Sequence, residues 1–148
     1  MKLCLAASAG GHLAELAQLE GFYKKREHFF VSDARSNALE LAGKKKIYFV
    51  ACPRRNPLKL AVNFIQSLKV FLNEKPDVIV STGADTAVPI CLIAKLFGKK
   101  VVFIESFARI REGSLSAKIM YPFADRFFVQ WPQTKAVFRR AEFAGSVF

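Results

Sequence analysis

Six short apolar runs, at residues 2–7, 28–32, 47–51, 77–80, 100–105 and 126–129, are separated by stretches with helical spacing. That alternation leaves few folds open. Strands that read as unbroken apolar runs are buried on both faces, and such burial calls for a parallel sheet with helices on each side. The expected architecture is α/β: a Rossmann-like, doubly wound, mostly parallel sheet with helices on both faces. Helices are expected from Leu13 through Leu16, Ala17 and Glu20, and at 36–42, 58–73, 85–97, 114–121 and 133–141. There is no internal repeat and no linker-like composition, so residues 1–148 read as a single domain, long enough to bury a core.

In such sheets, ligands sit beyond the carboxyl ends of the strands. The small and polar residues gather there: Ser8-Ala9-Gly10-Gly11-His12, Ser32-Asp33, Cys52-Pro53-Arg54-Arg55, Ser81-Thr82-Gly83-Ala84-Asp85, Glu105-Ser106 and Gln130-Trp131. Gly10 and Gly11 allow close approach of a ligand, and the helix start behind them offers N–H donors to an anion. His12 stands where it would donate to a phosphate or take a proton from a sugar hydroxyl. A tight turn with a solvent-facing imidazole explains the same residues. Ser81, Thr82 and Gly83 form a second strand-to-helix turn, whose hydroxyls either cap the helix or touch a substrate. Glu105 acts as a base, accepts from sugar hydroxyls, or pairs with Arg109 or Arg111. Neither glycine turn carries G-x-G-x-x-G or the Walker pattern, which argues against dinucleotide and P-loop chemistry.

Lys and Arg number 23 against 12 Asp and Glu, a formal charge of +11 spread in pairs and triplets along the chain. A charge of this size draws a polyanion: nucleic acid, anionic lipid or a phosphorylated substrate. The Phe residues fall in strands and apolar helix faces, where they would not stack on bases, and no nucleic-acid motif is present. The three cysteines lack metal-ligand spacing and suit a reduced compartment. No run approaches 18 uninterrupted apolar residues, and residues 1–7 lead into glycines rather than a signal-peptide core. The 58–73 segment carries two apolar stripes: Leu58, Val62, Ile65, Leu68 and Leu72, and then Leu60, Phe64 and Phe71. A helix lying on a sheet needs one. The second stripe is expected to face lipid or a partner, with Arg54 and Arg55 beside it to meet anionic headgroups; deep burial of the whole helix is the other reading.

Ser8-Ala9-Gly10-Gly11-His12, Ser81-Thr82-Gly83, Glu105-Ser106-Phe107-Ala108-Arg109 and the run from Tyr121 through Asp125 to Gln130-Trp131-Pro132 together resemble one family. It is the acceptor-side subunit of the two-component N-acetylglucosaminyltransferase of lipid-linked oligosaccharide synthesis, with its bacterial capsule and exopolysaccharide counterparts. The resemblance covers essentially the whole chain, and the late run is its most specific part. It implies the N-terminal half of a split GT-B glycosyltransferase, inactive or nearly so alone. Such a subunit binds a polyprenyl-diphosphate-linked sugar acceptor, and a separate donor-binding subunit holds the UDP-sugar. On that resemblance Gly10, Gly11 and His12 face the diphosphate or donor phosphates, and Glu105 and Arg109 line the same cleft. Ser8, Ser81, Thr82, Gly83 and Ser106 belong with them. Gln130 and Trp131 touch the acceptor or are structural. His12 and Glu105 are the catalytic candidates; no metal and no cofactor are expected beyond the UDP-sugar as donor substrate. Eukaryotic members carry an N-terminal transmembrane helix, whereas here the first strand begins at residue 2, so the expectation is a cytoplasmic protein, peripheral on the inner face of the cell membrane. Some relatives have a Pro-Gly pair where this chain has Gly83-Ala84-Asp85. A scaffold that only recruits the catalytic partner is the alternative, and a nucleic-acid-binding domain is a distant third.

Overall fold

A computed structural model describes residues 1–148. Seven strands form one sheet: β1 (Lys2–Ala7), β2 (Glu27–Ser32), β3 (Ile47–Phe49), β4 (Val78–Gly83), β5 (Lys100–Ile104), β6 (Arg126–Val129) and β7 (Glu142–Phe143). Their order is β3-β2-β1-β4-β5-β6-β7, and every neighbouring pair is parallel. The doubly wound expectation holds. The order reverses between β1 and β4, which places the ligand crevice of such a sheet at the carboxyl ends of those two strands.

The period-two geometry of a strand divides each apolar run between two layers. From β1, Cys4 and Ala6 join Phe29, Val31, Ile79, Val101 and Phe103 on one face, beneath α4 (Pro57–Glu74), α5 (Val88–Leu96) and α6 (Leu115–Met120). Leu3, Leu5 and Ala7 join Phe30, Val80 and Ile104 on the other, beneath α1 (Gly11–Ala17), α2 (Glu20–Tyr23) and α3 (Ser36–Ala42). On this second face the far half of the sheet is less covered. Val78, Val102 and Phe128 line an apolar hollow of about 590 Å³ bordered by residues 144–147.

Two expectations change. No helix fills 133–141: a short 3₁₀ turn (Pro132–Ala136) leads into β7. Thr134 Oγ1 donates to the carbonyls of Arg109 and Ile110, and Phe138 packs against Tyr121 and Phe127, so the segment's groups are committed to neighbours a regular helix would miss.

Helix α4 is the second change. Asn56 caps it by accepting from the Leu58 and Lys59 N–H groups, and Pro57 opens its first turn. Its polar strip, not its first apolar stripe, faces inward. Asn63 and Ser67 are fully buried, with Asn63 Nδ2 donating to the Ala51 and Thr86 carbonyls and Ser67 Oγ to Asn63 Oδ1. Phe71, expected at a lipid-facing surface, is 3% exposed and packs on Phe97. Leu58 (79% exposed) and Ile65 (71%), expected in the core, point outward with Val62, Leu68 and Leu72. Buried amides that find every partner hold a helix as firmly as apolar packing does, so the inverted face is stable. No helix is long and apolar enough to cross a membrane.

Candidate functional site

The β1 and β4 turns, remote in sequence, are laced together. Ser8 N–H donates to the Gly83 carbonyl at 3.0 Å, and Thr82 Oγ1 donates to the His12 carbonyl at 2.6 Å. His12 Nδ1 lies 2.8 Å from the Thr82 carbonyl. A carbonyl only accepts, so Nδ1 carries the hydrogen, and in the neutral ring the lone pair sits on Nε2. Gly83, at φ +94°, closes against this ring: a Cβ there would stand 3.4 Å from His12 Nδ1 and 3.5 Å from Ser116 Oγ. Glycine is therefore needed at 83 for its backbone, since the added Cβ would make only ordinary contact with these groups. At Gly10 the need is backbone alone, since φ is +99° and a Cβ would meet nothing within 4 Å.

The first turn is anchored from β2 and α3. Asp33 Oδ1 accepts from the Ala9 N–H at 2.9 Å and from Thr86 Oγ1 at 3.3 Å, and Asp33 Oδ2 pairs with Arg35. Burial pushes the Asp33 carboxyl up, but Arg35 and the Ala9 N–H outweigh it and hold the carboxyl below the usual range. Asn37 clasps Gly10 twice, accepting from its N–H at 2.8 Å and donating to its carbonyl at 2.9 Å. Gly10 therefore has no free N–H for an anion.

Between these turns and helices α4, α5 and α6 runs a groove of about 620 Å³. Its polar lining includes His12, Arg55, Asp85, Ser106, Arg109, Ser114 and Ser116; its apolar lining includes Leu60, Phe64, Val88, Leu92, Leu115 and Ile119. Arg54 and Arg55 take left-handed backbone, at φ +46° and +60°, and the Arg54 N–H is tied to Asp85 Oδ2 at 2.8 Å. That turn brings Arg55 to the groove. Neither Arg55 nor Arg109 makes an ion pair.

The remaining expected residues lie beneath this surface or behind it. Glu105 is 1% exposed and does not line the groove. Its Oε1 accepts from the Ser106 N–H and Ser114 Oγ, and its Oε2 from the Ser114 N–H at 2.7 Å. A carboxylate saturated in this way is a brace for the 105–114 loop, not a base, and it pairs with neither Arg109 nor Arg111. Ser81 is buried, with its Oγ accepting from the Gly83 N–H, and Ser8 Oγ is buried without a partner. Gln130 and Trp131 are outside the groove lining: Gln130 Nε2 donates to Glu15 Oε2 and the Glu105 carbonyl, and Trp131 Nε1 to the Phe107 carbonyl. Phe64 belongs to the groove, Leu60 to its rim, and Phe71 to neither groove nor surface.

Nothing in the residue pattern singles out Glu15, which is buried and accepts from Ser106 Oγ at 2.8 Å, from the Phe107 N–H and from Gln130. Asn37 carries no such signal either, while Asp85 is marked only by its place in the turn after the fourth strand. Asp33 stood directly after a strand, the one signal that marked it.

The family described as "Oligosaccharide biosynthesis protein Alg14 like" matches residues 3–147. The UDP-N-acetylglucosamine transferase subunit ALG14 of Rattus norvegicus is 30% identical over 178 residues, covering 98% of this chain and 82% of that protein. The corresponding subunit of Schizosaccharomyces pombe is 52% identical over 77 residues, which is 49% of this chain and 37% of that one. Among solved structures, Acinetobacter baumannii MurG superposes with a TM-score of 0.74 at 17% identity, covering 90% of this chain and 43% of its own. The UDP-N-acetylglucosamine 2-epimerase of Rickettsia bellii gives 0.78 at 15%, covering 99% and 45%. At such identities the likeness is one of fold, and this chain spans less than half of either enzyme.

Proposed function

Since the chain belongs to the Alg14-like family of oligosaccharide biosynthesis proteins, we propose that it is the acceptor-side subunit of a split glycosyltransferase, working at a membrane surface with a donor-binding partner. The groove carries this reading. A lipid-linked diphosphate sugar has an anionic head and an apolar tail, and the groove is lined by two arginines without ion-pair partners together with aliphatic and aromatic side chains. His12 Nε2, the basic nitrogen of the tautomer set by the Thr82 carbonyl, takes the proton of the acceptor sugar's hydroxyl. The freed oxygen attacks the anomeric carbon of the UDP-sugar held by the partner; a C–O bond forms there as the bond to the diphosphate oxygen breaks, and UDP leaves with the electron pair. The relatives are UDP-N-acetylglucosamine transferase subunits, so N-acetylglucosamine is the first donor sugar to try.

The outward apolar stripe of α4, with Lys59 and Lys69 beside it, supplies the membrane contact. The test is reconstitution with a lipid-diphosphate sugar acceptor and a panel of UDP-sugars, using this chain alone, the partner alone, and both. Transfer is expected only in the mixture. Full activity from this chain alone overturns the split-enzyme reading, and full activity from the partner alone reduces this chain to a scaffold.

A further inference from the structure

We infer that Glu15 is a positioning residue: one turn beyond His12 on the same helix, it holds the segment that carries Ser106 and Arg109 in register with the His12 imidazole. The inference rests on the reading above, in which these groups face one acceptor, and adds what keeps them together. Glu15 does not line the groove. It is 4% exposed and pairs with no cation, so hydrogen bonds alone support its carboxylate. Its Oε1 accepts from Ser106 Oγ at 2.8 Å, both oxygens share the Phe107 N–H at 3.2 Å, and Oε2 accepts from Gln130 Nε2 at 2.9 Å. Each neighbour can only donate here. The Ser106 hydroxyl turns its hydrogen to Glu15 and accepts from the Ala108 N–H at 3.2 Å. Gln130 Oε1 is taken by the Val147 N–H at 3.0 Å, and its Nε2 also meets the Glu105 carbonyl, so the amide has one orientation. Three converging donors call for a group that only accepts, which is a carboxylate.

The bonds from Ser106 and Phe107 are the whole hydrogen-bonded connection between α1 and residues 105–114. His12 ties the same helix to the β4 turn, through the Thr82 carbonyl and Thr82 Oγ1. The two ties are three residues apart, about 4.5 Å of helix rise, so α1 acts as a short rigid bar between them. From Ser106 the constraint passes to Arg109, whose N–H donates to the Ser106 carbonyl at 3.0 Å. Trp131 Nε1 holds the Phe107 carbonyl from the other side at 2.6 Å. Glu105 differs in kind, since its carboxylate bonds only Ser106 and Ser114 and stiffens the loop without relating it to α1. An unpaired buried carboxylate is a costly way to gain stability alone. What its charge-assisted bonds supply is short, directional geometry.

The test sets Glu15→Gln beside Glu105→Gln in the mixture of this chain and its partner, with a lipid-diphosphate sugar acceptor and UDP-N-acetylglucosamine. Glu15→Gln places an amide NH₂ against a donor and lets the loop shift. It is expected to lower kcat per folded molecule by roughly 10–100-fold, with the acceptor KM changed less than about threefold. Glu105→Gln, which loosens the same loop from within, costs kcat far less. Glu15→Gln combined with Gln130→Glu restores a donor and an acceptor across the 15–130 contact. This pair is expected to regain about tenfold in kcat while melting below the parent, because the Glu105 carbonyl has lost its donor. Trp131, the single tryptophan, gives a readout without substrate: exchange of its indole N–H in the free chain should quicken in Glu15→Gln and slow again in the double variant. Unchanged exchange, normal kcat in Glu15→Gln, or equal losses of kcat at positions 15 and 105 overturns the positioning role. A double variant that regains melting temperature without kcat overturns it as well. No transfer by the parent mixture defeats the split-enzyme reading and this role with it, whereas a normal Glu15→Gln enzyme beside an active parent defeats this inference alone.

Discussion

His12 and Glu105 show how partners decide what a titratable side chain can do. The imidazole gives one nitrogen to a backbone carbonyl and keeps the other for the groove; the carboxylate gives both oxygens to the loop it holds. Two substitutions separate the roles. His12→Asn keeps an N–H where Nδ1 donates to the Thr82 carbonyl but has no basic nitrogen, so turnover of the reconstituted enzyme is expected to fall by roughly 10²–10⁴. Complex formation and melting temperature should be nearly unchanged. Glu105→Gln turns an amide toward the Ser114 N–H, leaving donor against donor, and is expected to cost about 1–3 kcal/mol of stability with a much smaller effect on turnover per folded molecule. Steady-state kinetics beside thermal melts check both, and a His12→Asn enzyme with normal turnover removes the base from the mechanism. A residue list could place both groups after strands, because position follows from topology. It could not tell the base from the brace, because that depends on Ser114 reaching back nine residues and on which carbonyl the ring meets.

Helix α4 carries the clearest consequence of burial at the level of an element. The sheet side of the helix holds Asn63, Ser67 and Glu74, each fully partnered, and the surplus apolar residues are left outside. Leu58→Ser, Ile65→Ser and Leu72→Ser, singly, should each weaken binding to anionic vesicles by roughly 5–30-fold, the worth of one aliphatic side chain partly withdrawn from water. They should barely move the melting temperature, since these residues touch little in the free protein. Phe71→Ser should instead cost about 3–5 kcal/mol of folding stability, because Phe71 is core. Vesicle sedimentation and thermal melts give the two readouts; unchanged sedimentation in all three surface variants ends the membrane role of this face. Two apolar stripes and a narrow polar strip were visible in the sequence, and a surplus face followed correctly. Which stripe was surplus was not visible. Periodicity ranks faces by hydrophobicity, and here the most polar one is buried because the Ala51 and Thr86 carbonyls and the Ala51 N–H need partners that Asn63 and Gln66 supply.

Across the whole molecule, what the sequence disclosed was what burial on two faces dictates: six strands, their parallel run and the crevice end of the sheet. The seventh strand is two residues long, pinned to β6 by the Arg126–Glu142 pair, and nothing so short has a period to read. The sheet's other edge is fixed by a longer-range clasp with a pH signature. Glu74, at the end of α4, meets Lys2 of β1 and Lys46 at the entry to β3, each at 2.5 Å, and also accepts from the Tyr48 hydroxyl. Burial pushes its carboxyl up, but Lys2, Lys46 and Tyr48 outweigh that and hold it at about 2, against an ordinary 4.5. A carboxyl lowered on folding contributes stability that is complete above its unfolded value and disappears as pH falls through the folded one. The contribution is therefore present at neutral pH, on the order of 2–3 kcal/mol, and is lost between about pH 5 and pH 2. Asp33 and Asp125 are lowered in the same direction, and a chain of formal charge +11 gains further self-repulsion as its carboxylates neutralise. The melting temperature is expected to be flat from pH 7 to about pH 5 and to drop steeply below. Glu74→Gln should lower the plateau and make the acid limb shallower, because the proton uptake that drives part of it is gone. A variant whose melting temperature runs parallel to that of the parent from pH 7 to pH 3 places the acid sensitivity in the other carboxylates and leaves the α4–β1–β3 clasp without an electrostatic role.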